Sequence, residues 1–188
     1  MMRGIPGLTI IDPCDALDIE QAVPQMAAHN GPVYMRLLRG NVPLVLDEYD
    51  YQFELGKAKR LVDGDEVLII SSGFLTMRAL EVAKALQADH IGVGVMHCPT
   101  IKPLDVATIL AEVQRKPRLV VVAENHSVVG GLGESVASAL LQNGVQPARF
   151  RLAGLPDAYL DAGALPTLHD RYGISTEALS ARVKAWLT

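Results

Sequence analysis

Four clusters in this sequence hold residue types able to do chemistry. The first is Glu124-Asn125-His126, which follows directly on the apolar run Leu119 to Ala123. A run of that kind reads as a buried strand, and in an open α/β sheet ligands bind at the carboxyl ends of the strands. A Glu and a His placed there can act as an acid–base pair. They can equally hydrogen-bond the loop and the glycine turn that follows. The second cluster is Arg36 and Arg39, which flank a strand end that runs into Gly40, Asn41 and Pro43. A guanidinium offers a planar fork that suits phosphate oxygens. Residues three apart on a strand face opposite ways, so at most one of the two would meet a ligand, and solvated or interdomain ion pairs are the other reading.

The third cluster, Gly130-Gly131-Leu132-Gly133, lies between a strand and a helix, where backbone N–H groups and the helix dipole can hold a phosphate. Its spacing matches neither GxGxxG nor the P-loop. Glu134 would repel an anion in the first turn, so close strand-to-helix packing is the favoured role. The fourth, His97-Cys98, could suggest a metal pair. Adjacent strand residues point to opposite faces and cannot easily share one ion, so no metal site is expected. No GxSxG surrounds Ser71, Ser72 or Ser127.

The elements that must position these residues follow from periodicity. Leu8 to Ile11 reads as a strand, a helix capped by Asp15 or Asp18 comes next, and Val33 to Leu38 reads as a second strand. The stretch from Val42 to Lys59 has no clear period and reads as a linker. A regular alternation then begins. Strands are expected at Val67 to Ser71, Val93 to Met96, Leu119 to Ala123 and Phe150 to Leu152. Helical stripes lie between them, over Leu75 to Leu86, Val106 to Val113 and Val129 to Leu140. Ser175 can cap a last helix through Trp186. The pattern predicts right-handed βαβ units: an α/β, three-layer, Rossmann-like open and mostly parallel sheet, with a partial strand-helix-strand before it.

Composition narrows the function classes. Of the 188 residues 49% are hydrophobic and only 5% aromatic, an aliphatic profile that suits strands buried on both faces. The net charge of -4 offers no basic footprint for nucleic acid. No apolar run approaches the ~20 residues of a membrane span. Two distant cysteines, Cys14 and Cys98, give no disulfide framework, and a reduced cytoplasmic chain is the simplest reading. The N-terminus enters a strand-like run almost at once, as if cut from a longer chain.

Several segments together resemble the transketolase family. They are Ile5-Pro6-Gly7-Leu8 through Asp15-Ala16, Gly31-Pro32-Val33-Tyr34 running to Arg39-Gly40-Asn41-Val42-Pro43, and Leu55-Gly56-Lys57-Ala58. Thr100-Ile101-Lys102-Pro103-Leu104-Asp105, Glu124-Asn125-His126 with its glycine turn, and Tyr172-Gly173-Ile174-Ser175 complete the set. Their order and spacing over nearly the whole chain carry the match.

The resemblance implies that residues 1–45 are the end of the pyrimidine-binding domain and that 46–188 are the transketolase C-terminal domain. It implies thiamine diphosphate and Mg2+ in the complete enzyme. The family's metal motif, Gly-Asp-Gly followed by Asn, does not occur; Asp63-Gly64-Asp65 is the reverse pattern. The glutamate that activates the cofactor would lie upstream of Met1. No cofactor, metal or catalysis is therefore expected of this chain alone, and a partner with the missing N-terminal portion is implied, together with homo-oligomerisation. Arg39 stands where the family's sugar-phosphate-binding arginine stands. The reaction implied is transfer of a two-carbon ketol unit between sugar phosphates. A 2-oxo acid dehydrogenase β chain, a deoxyxylulose-phosphate synthase and a non-catalytic dimerisation or docking module are the alternatives, with a nucleotide-binding domain a weaker one.

Overall fold

A computed structural model describes residues 2–40 and 42–188, so Met1 and Asn41 lie outside the described residues. Five strands form the main sheet: β3 (Lys59–Val62), β4 (Val67–Ser71), β5 (Val93–His97), β7 (Leu119–Ser127) and β8 (Arg149–Leu155). Their order is β3-β5-β4-β7-β8. β5, β4, β7 and β8 run parallel, and β3 is antiparallel on the β5 edge. Alternation along the strands divides the core into two layers. Val67, Ile69, Val121 and Ala123 pack with α2 (Phe74–Gln87) and α6 (Thr176–Leu187). Leu68, Ile70, Val120 and Val122 pack with α3 (Val106–Gln114) and α4 (Leu132–Gln142). A strand buried on both faces needs an unbroken apolar run, and Leu119 to Ala123 supplies one. The result is the three-layer, mostly parallel α/β sheet that the periodicity predicts.

A second sheet has the order β2-β1-β6. β1 (Thr9–Ile11) and β2 (Val33–Met35) are parallel and joined by α1 (Ala16–Ala28); Asp15 caps that helix by accepting from the amide of Asp18. β6 (Thr100–Lys102) lies between β5 and α3 in the chain and pairs antiparallel with β1. This borrowed strand helps to cover β1. Ile10 and Ile11 are accordingly 6% and 0% exposed. Leu37 remains 59% exposed.

Other boundaries differ from the periodic reading. β2 stops at Met35, because Arg36 turns to bond Asp12 and the carbonyl of Asn125. The stretch read as linker ends in β3, whose charged Lys59 and Arg60 are an edge strand's protection and hide its strand character. α4 begins at Leu132, not Val129, and β7 runs on to Ser127. α5 (Leu165–Arg171) had no periodic signal. No described helix is long and apolar enough to cross a membrane.

Candidate functional site

Glu124 and His126 lie at the carboxyl end of β7, as the sequence predicts, but the geometry gives them different work. Glu124 is 4% exposed. Its Oε2 accepts from the amide of Leu132 at 2.8 Å and its Oε1 from the amide of Gly133 at 2.9 Å. The carboxylate therefore occupies the N-terminus of α4, where the helix dipole favours negative charge. A Cβ on Gly131 would overlap that carboxylate, and one on Gly133 would strike Leu152, so the glycines permit a close approach. Burial raises the Glu124 pKa, against the opposing pull of the two amides, His126 and Arg36. Outside it, Glu134 accepts from the amide of Gly130 at 2.9 Å. The anion site of this turn is thus filled by the protein's own side chains.

His126 is largely exposed. Its Nδ1 faces the Ser127 carbonyl at 2.8 Å and lies 3.9 Å from Glu124, beyond hydrogen-bond reach. The two share a strand end without forming a hydrogen-bonded acid–base pair.

Beside them runs a cleft of about 190 Å³. One wall comes from β1 and the end of β2, the other from β6, β7 and the glycine turn. Arg36 stands in it. Its Nε and Nη2 donate to Asp12 at 3.0 and 2.8 Å, and its Nη1 donates to the Asn125 carbonyl at 2.7 Å. Ser72 also donates to Asp12, at 2.8 Å. Arg3 reaches over the turn and donates to the carbonyls of Gly130 and Gly131, each at 2.8 Å. Arg39 is not part of this cleft. It is exposed and makes no hydrogen bond or ion pair among the described residues.

A second polar cluster is buried entirely, and sequence reasoning missed it. His97 donates from Nε2 to Asp18 at 2.9 Å, and its Nδ1 meets the Thr76 hydroxyl at 2.7 Å. Asp18 also accepts from the Tyr51 hydroxyl at 2.7 Å and the Cys14 amide at 2.8 Å. Burial alone would raise the Asp18 pKa; the charge and hydrogen bond of His97, with those two donors, outweigh it and hold the carboxyl below the usual aspartate value. The separation of 79 positions between the partners left no local signal, beyond a histidine at the end of an apolar strand. Cys98 points to the opposite layer of the core, and burial pushes its thiol pKa far up.

A thiamine diphosphate and its divalent cation do not fit the groups present. Among the described residues no three His, Cys, Asp or Glu side chains gather as metal ligands. The helix N-terminus at the glycine turn cannot take a pyrophosphate while Glu124 fills it.

The family model for the transketolase C-terminal domain matches residues 56–179. Over 187 residues the chain is 70% identical to an uncharacterized transketolase family protein of Sinorhizobium fredii, covering 100% of this chain and 54% of that protein. Over 179 residues it is 37% identical to a 6-deoxy-6-sulfo-D-fructose transketolase subunit of a Clostridium species, covering 95% and 54%. A solved split gene transketolase, described as an inactive β4 tetramer, is similar with a TM-score of 0.88 and 34% identity, over 99% of this chain and 59% of that one. The chain spans about half the length of the curated relatives it matches.

Proposed function

The chain belongs to the transketolase family, and from that premise we propose that it supplies the C-terminal part of a transketolase-type transferase, inactive until joined by the portion that holds the cofactor. Residues 1–45 are read as the end of the pyrimidine-binding domain and 46–188 as the C-terminal domain. The observation that carries this reading is a match along essentially the whole chain to a subunit and to a split-gene enzyme, both of which are transketolases. The Glu124 carboxylate in the α4 N-terminus supports placing the cofactor elsewhere in the assembly. There, thiamine diphosphate supplies the electron sink for ketol transfer.

Arg39 is the proposed contact for the anionic end of the sugar. Its exposure, with no partner among the described residues, leaves its fork available. One relative is named for 6-deoxy-6-sulfo-D-fructose, whose terminal group is likewise an anion, so phosphate and sulfonate are both candidates. The two cysteines are buried and unpaired, which suits a reducing compartment, and the cytoplasm is the proposed location.

Calorimetry tests the reading. The chain alone should show no micromolar binding of thiamine diphosphate with magnesium. Adding the N-terminal portion in trans should produce both binding and ketol transfer from a ketose phosphate. Tight cofactor binding by the chain alone would overturn it.

A further inference from the structure

The cleft beside Glu124 has a hydrogen-bonding character that neither the fold nor the family reading uses. Its two carboxylates are buried, with Asp12 6% and Glu124 4% exposed. Each has both oxygens engaged, Asp12 by Arg36 and Ser72, Glu124 by the α4 amides. What remains is donors. Arg36 donates one bond from each terminal nitrogen, and each such nitrogen carries two N–H groups. Arg3 uses only Nη1, and among the described residues no carboxylate neutralises it. The rest of the lining is mostly apolar, with Ile10, Ile101 and Leu132 prominent.

The geometry points to a binding site for a small organic anion: a carboxylate head met by Arg3 and Arg36, and a short aliphatic body against Ile10, Ile101 and Leu132. A volume of about 190 Å³ corresponds to roughly six waters, so the ligand has only a handful of non-hydrogen atoms. Both walls take part, β1 and β2 on one side and the main domain on the other, so an occupant would tie the two pieces together and stabilise the chain by mass action. Arg39 does not line the cleft, and the site is independent of where the sugar anion is held.

The test is a methyl-NMR titration of the 188-residue chain with the series acetate, propionate and butyrate. Butyrate should shift the methyls of Ile10, Ile101 and Leu132 and raise the melting temperature. Affinity should rise about 4-fold per methylene, as buried CH₂ groups do. Arg3→Met should weaken binding about 10-fold or more, as loss of a charge-assisted donor does. Arg3 is partly buried, and the unliganded methyl spectrum reports that the variant folds. The proposal is overturned if butyrate leaves those methyls unmoved, if butylamine moves them as far, if inorganic phosphate binds more tightly than butyrate, or if Arg3→Met binds as well as the parent.

Discussion

Glu124 was legible in the sequence as a strand-end carboxylate, but its role depends on distance. The same residue could serve a substrate or cap a helix, and only the bonds to Leu132 and Gly133 decide for the cap. Glu124→Gln should therefore destabilise the fold. A glutamine keeps one acceptor and turns an NH₂ toward the other amide, leaving a buried donor unsatisfied at a cost of ~1–3 kcal/mol. At 2–4 °C per kcal/mol for a domain of this size, melting should fall by about 2–12 °C. Arg39→Ala should leave melting unchanged, because the side chain is exposed. In the assembled enzyme it should raise KM for phosphorylated sugars roughly 10- to 150-fold and barely change KM for neutral ones. Equal effects on both would remove Arg39 from the anion site. His169 gave no sequence signal at all. It is 2% exposed, tilted against Phe74 at 5.4 Å, and neither ring nitrogen has a partner among the described residues. Burial, then the charge of Arg78, lowers its pKa. The unfolded chain thus binds the proton more readily, and stability falls as pH drops below the unfolded value of about 6.5. His169→Leu should raise melting at pH 7 and flatten the decline between about pH 6.5 and the lower folded value. Thermal scans across that range check it, and parallel curves for the two proteins would refute the assignment.

At the scale of elements, the parallel core was readable because each buried strand is an apolar run and each helix a stripe. β3 and β6 were not, since neither is apolar throughout and each forms only by pairing with a distant strand: Lys59 opposite His97, and Thr100 opposite Ile11. The Asp18–His97 bond was hidden for the same reason. It fastens the start of α1 to the end of β5, with Tyr51 and Thr76 completing it. Removing one partner leaves the other buried with an unmet hydrogen-bonding group, which costs about 1–3 kcal/mol or more. Asp18→Ala and His97→Leu should each destabilise by that order, while the double variant loses clearly less than the sum. Additive losses from denaturant melts would show that the pair is not a unit. Because the folded Asp18 pKa lies below the unfolded one, its contribution is present above about pH 4 and is lost as pH falls through the folded value. Asp18→Ala should therefore also flatten the acid limb.

The whole molecule is uneven. The five-stranded sheet is covered on both faces by helices, whereas the three-stranded sheet ends at β2 with an open edge. Among the described residues, seven of the twelve exposed large apolar side chains precede residue 46, Val23 at 51%, Leu37 at 59%, Leu44 at 54% and Tyr34 at 38% among them, and Leu141 and Tyr159 stand exposed elsewhere. An unpaired strand edge beside apolar surface is a template for another chain. A net charge of -4 spread over 188 residues gives only weak repulsion against such contact at physiological salt. Two occupants compete for the surface, a second copy of the chain and the portion that would extend the β2 sheet. The chain alone should consequently self-associate through residues 1–45, with a sedimentation coefficient that rises with concentration. The double variant Leu37→Lys and Leu44→Lys should shift it toward monomer without lowering its melting temperature, because both side chains are already in water. Adding the N-terminal portion should displace the self-contact, giving a mixed species at the expense of the homo-oligomer. A chain that stays monomeric at hundreds of micromolar, or an oligomer indifferent to both lysines, would place the contact elsewhere, and the open β2 edge would then need another explanation.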